Sequence, residues 1–224
     1  MTGCQCCKEH TLKIKLNDKE IKANGYIIKQ LNNLTISFLD IFDIDPKIND
    51  KIEINSTLHT PNSTLFKGYL NGVNKIKTGY YQSVGIANNK FDKENKDIKC
   101  YDDEDIVNII KDILDLCELK SEIKLDSFNI NWIPKTTPIL SLNNLFNTYI
   151  INKKKKVIWY EDLNKIYIFD KIEKGSNIKN KIFAHRGNVI VCDNENIPKM
   201  FDKIEDRIIV GYKLTSKEIE LYVR

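Results

Sequence analysis

The sequence predicts an α+β fold, mainly β, built as two β-barrel-like domains with a small helical α/β insert. Three features carry that expectation. Apolar and polar residues alternate with period two over residues 11–88, a single helical apolar stripe runs over 106–117, and period two returns from 157 onward. After a Cys-rich N-terminal segment at 1–10, the divisions expected are a first barrel-like domain at 11–88, the insert at 98–152 and a second β-rich domain at 153–224.

In "TLKIKL", Leu12, Ile14 and Leu16 alternate with Lys13 and Lys15, which gives one buried face. Asn17-Asp18 marks a turn, and "EIKANGYIIKQ" resumes extended structure across Asn24-Gly25. "LTISFLDIF" follows, with Ile36 and Phe38 apolar between Thr35, Ser37 and Leu39. Asp45-Pro46 and Asn49-Asp50 punctuate a loop before "KIEINSTLH", which alternates through Ile52, Ile54 and Leu58. After Pro61-Asn62 comes "LFKGYLNGVNKIKTGYYQSVGIANN", two alternating stretches broken by Asn-Gly and Thr-Gly, with no acid, histidine or cysteine. Short strands joined by Asn, Gly and Pro turns suit a small antiparallel barrel or sandwich, and closure removes exposed sheet edges.

A polar linker, "NKFDKENKD", ends the pattern at 89–97. Asp102 or Asp103 is then an N-cap, with acids in the first turn of a helix of about fifteen residues. Its stripe is Ile106, Ile109, Ile110, Ile113, Leu114 and Cys117. Thr137 caps a second helix with Pro138 at its first position and Leu142, Leu145, Phe146 and Tyr149 on its inner face. "FNI" and Trp132-Ile133-Pro134, between the helices, read as a short strand and a turn. "KVIWYEDLNKIYIFD" reads as a hairpin turning near Asp162-Leu163-Asn164, "NKIFAHRGNVIVCD" as another turning at Gly187-Asn188, and "RIIVGYKL" and "EIELYVR" as closing strands.

Charge excludes little by sign and more by distribution. Thirty-five Lys and Arg against 31 Asp and Glu leave a net +4, and the charges are interspersed apart from Lys153–Lys156, read as a solvated hairpin tip. A nucleic-acid binder of 224 residues shows a stronger basic stripe. No apolar run approaches the roughly 18–20 residues that cross a bilayer, and the first residues lack the order of a signal peptide. The expectation is a soluble protein made in the cytoplasm, without stable disulfides.

Catalytic constellations are sparse. His10, His59 and His185 fall in three segments, none beside a Ser or Cys in a nucleophile setting, and His185 reads as a turn residue. Neither GxxxxGK[ST] nor GxGxxG occurs. Asp102-Asp103 and Glu161-Asp162 read as a helix cap and a hairpin tip rather than as a glycosidase pair. The remaining cluster is "GCQCCKEH". Cys4, Cys6, Cys7 and His10 offer three thiolates and an imidazole for a zinc or iron ion or part of an iron–sulfur cluster. Adjacent Cys6 and Cys7 do not easily reach one tetrahedral ion, so surface thiols, a metal site, and ligands pooled about an oligomer axis all stay open.

The order of segments over residues 25–170 resembles the tail hub proteins of contractile-tail phages and R-type bacteriocins. The points of similarity are "LTISFLDIFDIDPKINDKIEI", "TLFKGYLNGV", "DEDIVNIIKDILDLCEL", and "WIPKTTPILSLNNLF" followed by "VIWYEDLNKIYIFD". The resemblance implies a homotrimer whose subunits each carry two barrel-like domains. Three chains then form a pseudo-sixfold ring between a sixfold tail tube and a threefold central spike, among other baseplate proteins, with no contact to nucleic acid or membrane required. It also implies a non-enzymatic protein, assembled in the bacterial cytoplasm and carried in the virion or bacteriocin baseplate. Two other classes stay in view. A cell-wall hydrolase needs paired acids or a metal, for which only the N-terminal cluster is a candidate. A β-barrel nucleic-acid-binding module needs aromatics beside basic residues on one face, and Tyr80-Tyr81 near Lys75 and Lys77 is the best candidate.

Overall fold

The structure, a computed structural model, describes residues 12–57, 63–173 and 175–224. In chain order the elements are β1 (Leu12–Leu16), β2 (Lys19–Ile21), β3 (Ala23–Gln30), β4 (Ile36–Phe42), β5 (Lys51–Ser56), β6 (Ser63–Lys77) and β7 (Tyr80–Ile86). They continue with β8 (Tyr101–Asp105), α1 (Ile106–Leu116), β9 (Lys120–Lys124), β10 (Asn129–Trp132) and α2 (Pro138–Lys153). The last are β11 (Ile158–Asp162), β12 (Lys165–Phe169), β13 (Ile182–Arg186), β14 (Val189–Cys192), β15 (Lys203–Ile204), β16 (Arg207–Leu214) and β17 (Ile219–Val223). The fold is α+β and mainly β.

The chain forms two compact units. The first takes the described residues up to Gln30, Ile36–Ile86 and Glu173–Arg224, and the second takes Leu31–Thr35 and Ala87–Ile172.

Within the first unit, antiparallel pairing runs β1–β5–β6–β7–β4–β3, and β2 pairs back onto β1. Only Lys22 separates β2 from β3, so this path closes on itself in a barrel-like arrangement. The β1–β2 turn is Asn17-Asp18, both with positive φ (48° and 66°), the geometry that suits a two-residue hairpin. Ile14, Leu16, Ile52, Ile54, Phe66 and Leu70 are buried by the alternation. Strand β4 buries the row opposite to its apparent apolar one: Ser37, Leu39 and Ile41 face the core, while Ile36 and Phe38 are half-buried on the outside. The reason is space. Ser37 lies opposite Gly85, where an added Cβ would come within 2.4 Å of Ser37 Oγ and 2.6 Å of Ile52 Cδ1. Only small side chains fit there. Asn71-Gly72 proves to be no break, since β6 runs through it for 15 residues with a bulge, and the chain turns at Thr78-Gly79.

A second group of strands, in the order β13–β14–β17–β16 with β15 also on β16, encloses Ile190, Cys192, Ile209, Leu214, Ile219 and Leu221. Strand β16 then pairs with β3 from Gly211↔Gln30 to Leu214↔Ile27, which joins both groups into one twelve-stranded sheet among the described residues. His185 lies in β13 opposite Ile190, two residues before the Gly187 turn, rather than in the turn itself.

The second unit holds both helices. Asp105, not Asp102 or Asp103, caps α1: its Oδ1 accepts from Val107 N at 2.8 Å, and the two earlier acids belong to β8. No acid lies in the first turn, and α1 runs for 11 residues. Its stripe from Ile106 to Leu114 is buried as the spacing requires. Helix α2 starts as expected, with Thr137 Oγ1 accepting from Leu140 N at 3.4 Å and Pro138 at its first position. It ends at Lys153, with Lys154 left-handed, so the Lys153–Lys156 run is a helix C-terminus rather than a hairpin tip. Cations there complement the helix dipole.

The hairpin β11–β12 belongs to this second unit, because β12 pairs in parallel with β9, which follows α1. The chain therefore does not divide at 153: residues up to Ile172 stay with the helices, and β13–β17 join the first unit. Period two is the same on both sides of that boundary, so it hides the change of partner. Glu161 is not at the hairpin tip, where Leu163 and Asn164 make the turn. It is buried (1 % exposed), its Oε1 accepting from Asn164 N at 2.7 Å and its Oε2 from Thr35 N at 3.3 Å. Asn32 secures the same 31–35 segment by exchanging bonds with Trp159, its N–H to Trp159 O (2.6 Å) and its Oδ1 from Trp159 N (3.0 Å).

Tyr149, Lys155, Asp126 and Asp170 form a polar clamp at the end of α2. Tyr149 donates to Asp170 Oδ2 at 2.6 Å, and Lys155 Nζ lies 2.8 Å from Asp126 Oδ2 and 3.0 Å from Asp170 Oδ2. Burial pushes the Asp170 carboxyl up, but hydrogen bonds from Tyr149 and Lys155 outweigh it and hold the group below its ordinary range.

Three outcomes are expected. Ser83 Oγ is buried with no protein partner, so Ser83→Ala leaves the urea midpoint unchanged or raises it. At Gly25 an added Cβ would sit 2.2 Å from Phe38 O, so Gly25→Ala lowers stability by about 1–3 kcal/mol in the same assay. Because the carboxyl of Asp170 is depressed in the folded state, its contribution is present above the unfolded value of about 3.9 and is lost as pH falls through the folded one. Thermal melting should show wild type more stable than Asp170→Asn at pH 6, with the gap narrowing below about pH 4.

Candidate functional site

In most half-buried sheets one face is apolar and the other charged. The β3–β4–β7–β6 part of the first unit departs from that rule. Its outer face carries a cross-strand row of Ile28, Ile36, Ile86 and Tyr69, and beside it a row of Tyr26, Phe38, Val84 and Gly72. Tyr26 and Phe38 stack with centroids 4.9 Å apart and planes at 22°, and Phe42 and Tyr80 stack at 5.2 Å and 9°. The polar groups between them are tied to one another. Tyr80 Oη donates to Asp40 Oδ1 at 2.8 Å and accepts from Gln82 Nε2 at 3.2 Å. The hydrogen bond to Asp40 raises the Tyr80 phenol above its ordinary range. Lys213 Nζ lies 4.9 Å from the Tyr26 ring and Lys22 Nζ 6.0 Å from the Phe42 ring, so cations rim the aromatics.

A groove of about 560 Å³ opens on this face, lined by Tyr26, Phe38, Asp40, Gly72, Val73 and Val84 among others. Gly72 creates it. A Cβ added there would meet only Val84 Cβ, at 3.9 Å. Such a surface offers apolar area and aromatic rims together with the polar side chains of Asp40, Asn74, Gln82 and Ser83, a mixture that suits a protein–protein contact.

The residues singled out for chemistry do not converge. Cys4, Cys6, Cys7 and His10 lie outside the described residues, as does His59. Among the described residues no group of three or more His, Cys, Asp or Glu is placed to hold a metal ion. Cys117 and Cys192 are buried free thiols, pushed up by burial to about 11 and about 12, and Cys100 is exposed. Tyr80 and Tyr81 point to opposite faces of β7, Tyr81 being buried, so they do not make one stacking platform for bases. Asp102 and Glu161 fall in unrelated strands, and His185 Nε2 lies 3.5 Å from Glu205 at the surface.

No family profile matches the chain, and no curated protein sequence does. Solved structures do. The 43 kDa tail protein of prophage MuSo2 from Shewanella oneidensis superposes with a TM-score of 0.71 at 9 % identity, covering 97 % of each chain. A tail protein from Neisseria meningitidis MC58 gives 0.64 at 8 % identity over 96 % of each chain. The fold is that of phage tail proteins. A third match extends it to secretion: the E. coli c3393 protein, a type VI secretion component similar to the T4 tail proteins gp27 and gp5, gives 0.59 at 12 % identity, covering 94 % of this chain and 76 % of that one. At such identities the likeness lies in backbone architecture, and the tail-hub resemblance read from residues 25–170 agrees with it.

The apolar outer face went unread in the sequence, although Tyr26, Phe38 and Val84 were visible there. The signal available was that β3, β4 and β7 each carry apolar residues in both alternation phases. Burial of the two inner thiols has a direct consequence: on brief alkylation at pH 7, peptide mass spectrometry should find Cys100 modified and Cys117 and Cys192 untouched until the chain is unfolded.

Proposed function

We propose that this chain is the structural hub of a phage-like contractile tail baseplate, a homotrimer whose ring joins the sixfold tail tube to the threefold central spike. The observation that carries the reading is the sheet with two apolar faces. The inner face fills a core, and the outer one leaves Tyr26, Phe38 and Val84 half-buried, where a protein partner would complete their cover. Support comes from the tail-protein fold and from two groups of strands within each chain, since three copies supply six such groups to a ring. The role is structural rather than enzymatic. Its partners are two further copies, the tube protein, the spike protein and other baseplate proteins. The protein is assembled in the bacterial cytoplasm and carried in the virion or in an R-type bacteriocin particle. No described helix is long and apolar enough to cross a membrane.

Light scattering on the size-exclusion peak is the test. The expected mass is three chains, with binding to the tube and spike proteins of the same particle. A single-chain mass that persists up to high concentration and in the presence of both partners overturns the trimer. Elemental analysis of the same peak tests Cys4, Cys6, Cys7 and His10: about one zinc or iron equivalent, or one cluster, per trimer is the result expected of ligands pooled at the axis, and a metal-free peak removes that proposal.

A further inference from the structure

Two β-bulges in the first unit place complementary features on the surface. In β13, Ile182 opposes Cys192 and Ala184 opposes Val191, so Phe183 is the extra residue of a bulge. Bulges re-aim side chains, and Phe183 is turned outward at 54 % exposure, while its neighbour Ile182 packs against the second strand group's core. Strand β13 is also the end of the strand order, with β14 on one side only. In β6, Leu70 opposes Gly85 and Gly72 opposes Val84, so Asn71 is the extra residue of a second bulge, and the notch above Gly72 opens beside it. One bulge presents an aromatic side chain. The other presents an aromatic-lined vacancy.

We infer that the Gly72 notch is the seat for Phe183 of a neighbouring copy of this chain, and that this head-to-tail contact closes the ring. The inference rests on the hub reading above and names the contact that reading needs. The two patches are different surfaces of one unit: strands β14, β17 and β16 lie between β13 and the strands that line the notch. A contact between different patches is heterologous, so each copy uses its knob on one neighbour and its notch on the other, and such a contact forms a ring when the rotation closes. Inside the notch, Phe183 would meet the Tyr26–Phe38 stack, where ring edges and faces attract beyond simple burial. Charge agrees with the placement. Asp40 lines the notch, and Arg186 follows Phe183 along β13.

The test uses two full-length variants, Gly72→Leu and Phe183→Ala, each analysed by light scattering and by thermal melting. A leucine at 72 fills open space at a position without positive φ, and Phe183 is exposed, so both variants are expected to fold and melt cooperatively, below wild type only by the stabilisation that association supplies. Each variant alone is expected at one chain's mass where wild type is at three. An equimolar mixture distinguishes this contact from any other. Phe183 of the Gly72→Leu chain can seat in the intact notch of the Phe183→Ala chain, but the reverse junction has neither knob nor notch. The mixture should therefore give a two-chain species and stop there. Variants that remain at three chains overturn the contact and leave the ring standing. A wild type that never leaves one chain overturns both. If Gly72→Leu fails to melt cooperatively, Phe183→Ala and Phe183→Asp decide: loss of the three-chain mass in both supports the contact, and its retention in either overturns it.

Discussion

Strand β3 hydrogen-bonds along both edges, to β4 over Ala23–Ile28 and to β16 over Ile27–Gln30, while its short forerunner β2 pairs with β1. Those three pairings impose most of the first unit. The link through Lys22 closes one group of strands, and the link to β16 ties in a second group almost two hundred residues away in sequence. The approach is close: a Cβ at Gly211 would come within 2.8 Å of Lys29 O. Lys29 itself is buried near the end of β3 with its ammonium 5.8 Å from the Tyr212 ring, so its cross-strand neighbour on β16 supplies a face for its charge. Loop-closure cost grows slowly with length, so a contact between residues 27–30 and 211–214 is affordable once the local hairpins exist.

The second unit is organised differently. Its helices bury a continuous apolar stripe, and its strands are few, so polar groups fix the details. Glu161 and Asn32 satisfy the backbone of a segment distant in sequence, and Tyr149, Lys155 and Asp170 join the end of α2 to the end of β12. A buried carboxylate is tolerable only with donors around it, and Glu161 has backbone N–H groups from Asn164 and Thr35. That explains an acid in a position where alternation alone asks for an apolar side chain.

The proposed function starts from what the sheet leaves over. Here the described titratable groups are spread among clamps and rims, and what is gathered on one face is aromatic and aliphatic. The cations at that face sit over rings rather than forming a stripe, which suits adhesion between protein surfaces more than attraction of phosphate.

Local chemistry was legible in the sequence. The Asn17-Asp18 turn, the α1 stripe, the Thr137-Pro138 start of α2 and the hairpins of the C-terminal half depend on residues within a few positions of one another, and the sequence by itself determined them. Partner choice depends on distant residues, and only the tertiary structure decided it. The same period-two pattern served β11–β12, which joined the helices, and β13–β17, which joined β3. Asp105 rather than Asp102 became a cap because β8 pairs with β10 up to that residue. The buried row of β4 was chosen by the space that Gly85 leaves across the barrel, and the notch at Gly72 exists because a bulge and a missing side chain coincide beside Val84. Alternation states that one row of a strand is buried. Which row, and against what, is settled by the volume of residues far along the chain.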